Sequence, residues 1–285
     1  MPIDYLTLLN WDIPEITQTV TQKSTILYAL GIGIGSDPTD PQQLKYVYED
    51  GLESLPMMAV TLCYPGQWHA DPRTGIVSSH VVQGAQAFVI HKPLPPACTV
   101  RGKTRITGVY DKGAGKGAIV TTECAVSDVE SGALLCTIGS THFCRANGGF
   151  GGPKSSAISP AKAPSRHPDV SCEFATLPQA GLIYRLSGDY NPLHADPEFA
   201  RRAGFEKPIL HGRCTFGVVG NAILKSLCDY KTPRLRSMSA RFVSPAYPGE
   251  TIRTEIWRES CGARFRAVVR DRDVVVLDHG VAEVS

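Results

Sequence analysis

The sequence predicts an α+β fold in which an antiparallel sheet curled around a central helix occurs twice. Three observations predict it. First, "KPLPPACTVR" at 92–101 matches "SPAYPGETIR" at 244–253 at a constant offset of 152 residues, pairing Pro93 with Pro245, Pro96 with Pro248, Thr99 with Thr251 and Arg101 with Arg253. Second, each copy leads into three runs rich in β-branched residues separated by turn formers, the pattern of an antiparallel meander. Third, "HGRCTFGVVGNAILKSLCD" (211–229) is apolar on nearly every face and carries the small residues Gly217 and Gly220. A helix greasy all round belongs inside a core.

Taken in chain order, "DPQQLKYVYEDG" (40–51) predicts a helix, and "ESLPMMAVTLC" around Pro56 supports only a short one, so the central helix of the first half is expected to be reduced. The first meander follows as "TVRGKTRITGVYDKG", "GAIVTTECAVSD" and "ALLCTIGSTHFCRA", with turns at Asp111-Lys112-Gly113 and Glu130-Ser131-Gly132. Residues 147–169 are rich in Gly, Pro, Ser and Ala without apolar periodicity, which predicts a linker between a half at 1–146 and a half at 170–285. In the second half Asp196 and Pro197 supply the cap and first-turn proline of a short helix that Gly204 ends. Lys207-Pro208 then turns the chain into the buried helix, and the second meander has a turn at Cys261-Gly262.

The composition suits a folded globular chain: 285 residues, 42% hydrophobic and 20% charged. With 29 basic against 27 acidic residues the net charge is +2, which gives no footprint of a nucleic-acid binder. Nine cysteines lie scattered in mostly apolar runs with no Cys-x-x-Cys pair, so buried free thiols are expected rather than disulfides or zinc. No apolar run reaches about 18 residues, so no membrane span is expected. The N-terminal "MPIDYLTLLNWDIP" has no basic leader and the final "VAEVS" is not a peroxisomal address; the expected location is cytoplasmic.

Two glycine clusters, "GIGIGS" (31–36) and "KGAGKGA" (112–118), resemble nucleotide loops only superficially. Neither follows a parallel strand and opens a helix, and both are expected to be turns. His194-Ala195-Asp196 could supply two metal ligands, but no third ligand stands at a convincing spacing, so no metal site is expected.

The stretch "SGDYNPLH" (187–194) holds the chemistry. Pro192 cannot sit inside a helix and biases Asn191 away from helical angles, so Asp189 and His194 share a turn that can fold both toward one point. These eight residues alone would equally make an ordinary surface loop. Gly212, at the start of the buried helix, adds a backbone N–H at the positive end of a helix dipole, where an oxyanion could be held. A tight helix start would account for Gly212 just as well. An acid, a base and an oxyanion donor together suit addition of water to a double bond conjugated to a thioester carbonyl.

"YRLSGDYNPLHADPEFARRAGFEKPILHGRCTFG" resembles the signature of the MaoC-like (R)-specific 2-enoyl-CoA hydratases, the hydratase 2 family. The resemblance extends over "YALGIGIGSDPTDPQQLKYVYED", "HKPLPPACTV", "YDKGAGKGAIV", "GGFGG" and "ARFVSPAYPGETIRTEIW", all similar to the hydratase domain of peroxisomal multifunctional enzymes of type 2. It implies a double hot-dog fold and reversible hydration of trans-2-enoyl-CoA to (3R)-3-hydroxyacyl-CoA, with no metal or redox cofactor. It also implies Asp189 and His194 as a catalytic pair around one water, Asn191 orienting that pair or the water, and Gly212 donating to the thioester oxygen. Acyl-CoA contacts carry over to Gly84, Lys112, Tyr190 and Phe242, with a departure at Gln83, where the relative has His. Residue types leave open which of Asp189 and His194 is acid and which base. A hot-dog thioesterase and a non-catalytic acyl-CoA-binding protein stand as alternatives, a homodimer and a monomer are both compatible, and a reduced first helix would leave room for a long acyl tail.

Overall fold

In the computed structural model, which describes residues 2–154 and 162–285, the β-branched runs pair into one antiparallel sheet of ten strands. The first half contributes helix α1 (Tyr5–Leu9), β1 (Ile16–Val20), α2 (Gln22–Gly31), α3 (Pro41–Leu44), β2 (Val81–Ile90), β3 (Cys98–Asp111), β4 (Ala118–Asp128) and β5 (Leu134–Cys144). The second contributes β6 (Val170–Ala175), α4 (Ala180–Tyr184), α5 (Pro197–Arg202), α6 (Gly212–Cys228), β7 (Leu235–Phe242), β8 (Thr251–Glu259), β9 (Gly262–Val269) and β10 (Val274–Val284). Both meanders expected from the repeat are present as β3-β4-β5 and β8-β9-β10. The middle of the expected linker, residues 155–161, lies outside the described residues.

The spatial order β1-β3-β4-β5-β2-β7-β10-β9-β8-β6 shows the two expected sheets joined edge to edge into one. β2 ends the first sheet and β7 the second, and each would leave a row of unpaired N–H and C=O groups at an edge. They pair with each other from Ala85 opposite Arg241 to Val89 opposite Ser237, which satisfies both edges and makes one continuous sheet.

Strand β3 shows why these runs become half-buried strands. Val100, Gly102, Thr104 and Ile106 are buried while Arg101, Lys103 and Arg105 between them are exposed, the period-two alternation of a sheet with one wet face. "KGAGKGA" is the β3-β4 turn. At its base the Asp111 carboxylate accepts from the N–H groups of Gly113, Gly149 and Gly151 at 2.7–2.8 Å, and these bonds hold its pKa below the usual carboxylate range.

Helix α6 is the expected central helix, with twelve of its residues buried. The sheet curls around it, and α6 packs on β6, β7, β8 and β10. Its glycines admit the other half at close range: a Cβ on Gly217 would lie 2.6 Å from Ile32 Cγ2, and one on Gly220 would lie 2.3 Å from Met57 Cγ. In the first half the matching place holds only a 3-10 helix, Pro56–Thr61, opened by Pro56 and buried throughout, so the reduced helix is observed. Expected helix 40–51 shrinks to α3, capped by Asp40. Tyr46, Val47 and Tyr48, all weak helix formers, follow it, and the Tyr46 hydroxyl is drawn across to the Tyr230 carbonyl. Six of the nine cysteines are buried, and none is bonded to another among the described residues. No helix of the described residues is long and apolar enough to cross a membrane.

The Gly217 contact gives a stability prediction. Gly217→Val drives two methyl groups into Ile32 and the Tyr28 hydroxyl, which stands 3.0 Å from the Cβ position. Overpacking of this kind costs about 2–3 kcal/mol. Thermal melts followed by circular dichroism are expected to show a drop of several degrees in Tm, against a much smaller change for Lys225→Ala, which loses only the ammonium over the Phe174 ring. An unchanged Tm for Gly217→Val sinks the assignment of this contact.

Candidate active site

The Asp-His turn is built by local backbone rules. Gly188 adopts φ +109°, a conformation side chains disfavour, and this ends the 3-10 turn Arg185–Ser187 and swings Asp189 inward. Asn191 caps the next 3-10 turn, Pro192–His194: its Oδ1 accepts from the Leu193 N–H at 3.1 Å and its own N–H donates to Asp189 Oδ1 at 3.4 Å. Asn191 therefore orients Asp189 through the backbone, while its side chain is spent on the turn. The turn delivers His194 to a buried position, where Nδ1 lies 2.9 Å from the Ile209 carbonyl.

A third residue joins them. His211, 1% exposed and N-cap of α6, stacks on His194 with ring centroids 3.7 Å apart and planes at 27°. Its Nε2 lies 3.1 Å from the Asp189 carbonyl, which fastens the turn to the start of α6. A carbonyl can only accept, so His194 carries its proton on Nδ1 and His211 on Nε2. The remaining lone pairs are His194 Nε2 and His211 Nδ1, the latter buried with no partner. One ligand atom each from Asp189, His194 and His211 lies within 4.8 Å of the others.

Those three donors are of a type that also binds cations. Imidazoles stacked nearly face to face, however, hold their lone pairs in nearly parallel planes, with ring centroids 3.7 Å apart, which hinders two convergent bonds of about 2.0–2.1 Å to one zinc ion. Asp196, the other acid near His194 in sequence, is turned away as the cap of α5, accepting from the Glu198 and Phe199 N–H groups.

Burial dominates the electrostatics. It lowers the pKa of His194, opposed by the Ile209 carbonyl and by Asp189, so the imidazole is neutral at pH 7. His211 is pushed down to about 4, first by burial and then by the charge His194 would carry. A neutral His194 with its proton fixed on Nδ1 presents a basic Nε2.

The remaining expected residues divide. Gly212 is the first residue of α6, where its N–H has no intrahelical acceptor, and a Cβ there would stand 2.9 Å from the Phe242 ring. Gly84 lies at the bulge of β2 between Gln83 and Ala85, one residue before the Ala85–Arg241 pair. Lys112 is not at the Asp-His turn: it opens the β3-β4 turn, with its ammonium over the Phe143 ring, and Phe143 is paired with Val82 at the same end of the sheet as Gly84. Tyr190 is 59% exposed and carries the Arg185 guanidinium on its ring, which puts it on the surface rather than in the site.

Behind the turn the first half closes the site. The Arg213 guanidinium lies 4.5 Å over the Tyr64 ring, with a cavity of about 10 Å³ on the Asp189 side and one of about 40 Å³ on the other. Both cavities are too small to hold a long alkyl tail. His211 was within reach of sequence reasoning, since "ILHG" puts a titratable ring beside Gly212. Tyr64, His69 and His142 were not: they lie over 40 residues from the motif and no local pattern marks them.

Comparison with known proteins agrees with the geometry. Residues 18–146 match the family model described as MFE-2 hydratase 2 N-terminal domain, and residues 159–279 match the MaoC like domain. The chain is 37% identical to the enoyl-CoA hydratase ChsH3 of Mycobacterium tuberculosis, over 99% of this chain and 98% of that one. It is 37% identical to the peroxisomal enoyl-CoA hydratase 2 of Arabidopsis thaliana, over 95% and 92%. Among solved structures, a MaoC-like dehydratase from Phytophthora capsici superposes with a TM-score of 0.86 at 35% identity, covering 98% of both chains.

Proposed function

The chain belongs to the MaoC-like hydratase 2 family, and from that premise we propose that it catalyses reversible hydration of trans-2-enoyl-CoA to (3R)-3-hydroxyacyl-CoA. The observation that carries the reading is the convergence of Asp189, His194 and His211 within 4.8 Å beside the free N–H of Gly212. The half at 170–285 supplies the catalytic turn, and the half at 1–146 shapes the acyl pocket. The CoA moiety extends along the sheet end that carries Gly84 and Lys112, where the lysine offers a point charge to a phosphate.

The Nδ1–H tautomer of His194 supports its reading as the base. The enoyl carbonyl oxygen accepts from Gly212 N–H, which draws electron density from the double bond and leaves C3 electrophilic. One water is held between Asp189, which accepts one of its hydrogens, and His194. His194 Nε2 takes the other proton as the water oxygen bonds to C3, and the electron pair moves through C2 to the thioester oxygen as an enolate. The imidazolium, balanced by Asp189, then returns a proton to C2, and the enolate collapses to the thioester. Water is added across C2 and C3, and both side chains end as they began. His211 fastens the turn by donating its Nε2–H to the Asp189 carbonyl.

Loss of the enoyl-thioester absorbance of crotonyl-CoA, with the configuration of the product resolved, tests the reading. A 3R product is expected. Release of free thiol, as from a thioesterase, or a 3S product overturns it.

The pH profile tests the role of His194. The active form is neutral, and a lowered pKa keeps it neutral below its ordinary value of 6.5. kcat/KM is therefore expected to hold from pH 8 down past 6.5 and to fall only as pH drops through the depressed pKa. A rate that instead rises as pH falls from 8 to 6 would mean that the imidazolium is required, and would reverse the assignment.

A further inference from the structure

Beyond the reacting atoms, the small cavities beside the site carry polar groups that no protein partner satisfies. Arg213 follows Gly212 directly, lines both small cavities, and no carboxylate among the described residues forms an ion pair with it. Its guanidinium rests on Tyr64, and its Nε is buried without a hydrogen-bond partner. Past it, the cavity of about 40 Å³ sets His69, His142, Thr104, Thr122 and Ser140 among apolar walls that include Val60, Leu62 and Ile138. His69 Nδ1 is also buried without a partner. The two imidazoles lie 6.1 Å apart with Trp68 edge-on to both. Burial keeps them uncharged, His142 down to about 3, with His69 and Arg213 adding to the effect.

An alkyl tail running into this space would leave the Arg213 Nε and the His69 Nδ1 buried and unsatisfied, at a cost of about 1–3 kcal/mol for each lost hydrogen bond. A polar group of one carbon and two oxygens suits the space and supplies acceptors to Arg213 and to the neutral histidines, each of which can present an N–H. We propose that this hydratase reads an anionic tail: Arg213, with His69 and His142 behind it, binds a carboxylate at the far end of a short enoyl chain. The substrate class is then the CoA monoesters of short unsaturated dicarboxylic acids. This inference rests on the hydratase reading and adds to it the identity of the acyl group.

The test compares pairs of esters matched in length: (E)-2-hexenoyl-CoA against (E)-2-hexenedioyl-CoA, and the five-carbon pair likewise. In the wild type kcat/KM is expected to favour the carboxylate by roughly tenfold or more in at least one pair. Arg213→Met is expected to lower that preference by roughly tenfold to a hundredfold, chiefly through KM of the carboxylate ester, and Arg213→Lys to restore part of it. A wild type that prefers the alkyl ester in both pairs overturns the proposal, whatever the variants do. So does an Arg213→Met enzyme in which both esters lose equally, because that would show Arg213 acting on Asp189 instead of on the tail. If Arg213→Met does not fold, His142→Phe reads the same ratio from the other wall. If no ester is hydrated, the hydratase reading itself fails. The tail preference is then read by calorimetry from hexanoyl-CoA against adipyl-CoA, and equal Kd values sink it.

Discussion

Asp189→Asn is expected to lower kcat for enoyl-CoA hydration by about 10³-fold, and His194→Gln by a similar factor, with the fold intact in both. The factor lies within the usual range of about 10²–10⁴ for a positioned acid-base group. Asn at 189 keeps the shape of the side chain and an oxygen for the Asn191 N–H, now at 3.4 Å from Oδ1, so the turn is retained. What it loses is the negative charge that balances the imidazolium and the second acceptor for the water. His194→Gln removes the basic nitrogen itself. Because the two residues act on one water, the double variant should be little worse than either single one; strict additivity would indicate independent roles. Rates are read from thioester absorbance, beside circular dichroism and Tm for each protein. A folded Asp189→Asn enzyme within tenfold of wild type would remove Asp189 from the chemistry.

The catalytic turn was legible because everything that shapes it is local. Gly188 supplies the positive φ, Asn191 the cap and Pro192 the break, all inside eight residues. The buried helix was legible for the same reason, since α6 is apolar on faces that a surface helix would expose. Assembly of the two halves was not legible. Nothing in "VVQGAQAFVI" announces that β2 pairs with β7, and its buried Gln86 hides the period: the amide is satisfied across the sheet by the Gly139 carbonyl at 2.9 Å, a bond no sequence pattern shows. The short edge strands β1 and β6 alternate cleanly yet are only five and six residues long. Helix α2 was missed because Thr25, Ile26 and Leu27 follow polar residues that give little periodicity; its capping box, Thr21 with Ser24, was the available signal.

The same division runs through the site. Asp189, His194 and Gly212 share one segment, whereas the groups facing the acyl end come from a loop and a strand of the other half. Arg213 stands at the boundary. It was visible beside Gly212, but its meaning depends on Tyr64, His69 and His142, which only the folded chain brings to it. Local motifs thus expose the reaction, and tertiary contacts decide what the reaction is applied to.

Gly212 permits a cleaner separation of structure from chemistry than an ordinary side-chain deletion. Its proposed contribution is a backbone N–H, which only proline removes. Proline is tolerated at the first position of a helix, where that N–H has no intrahelical acceptor, and its fixed φ suits the helix start. The residue before it must be extended, and His211 already is, at φ −56° and ψ 134°. Any side chain here also meets Phe242, whose ring atoms lie 2.9–3.3 Å from the Cβ position, so proline alone would confound two effects. Gly212→Ala supplies the control: it adds the same Cβ and keeps the N–H. The ratio of kcat between Gly212→Ala and Gly212→Pro therefore isolates the oxyanion donor, and it is expected to be about 10²–10³, the usual loss for one such donor. KM should move far less than kcat, because the bond strengthens as charge collects on the thioester oxygen. If proline and alanine at 212 give rates within fivefold of each other, with similar Tm, the oxyanion is held elsewhere and Gly212 serves only the close approach of Phe242 to the helix.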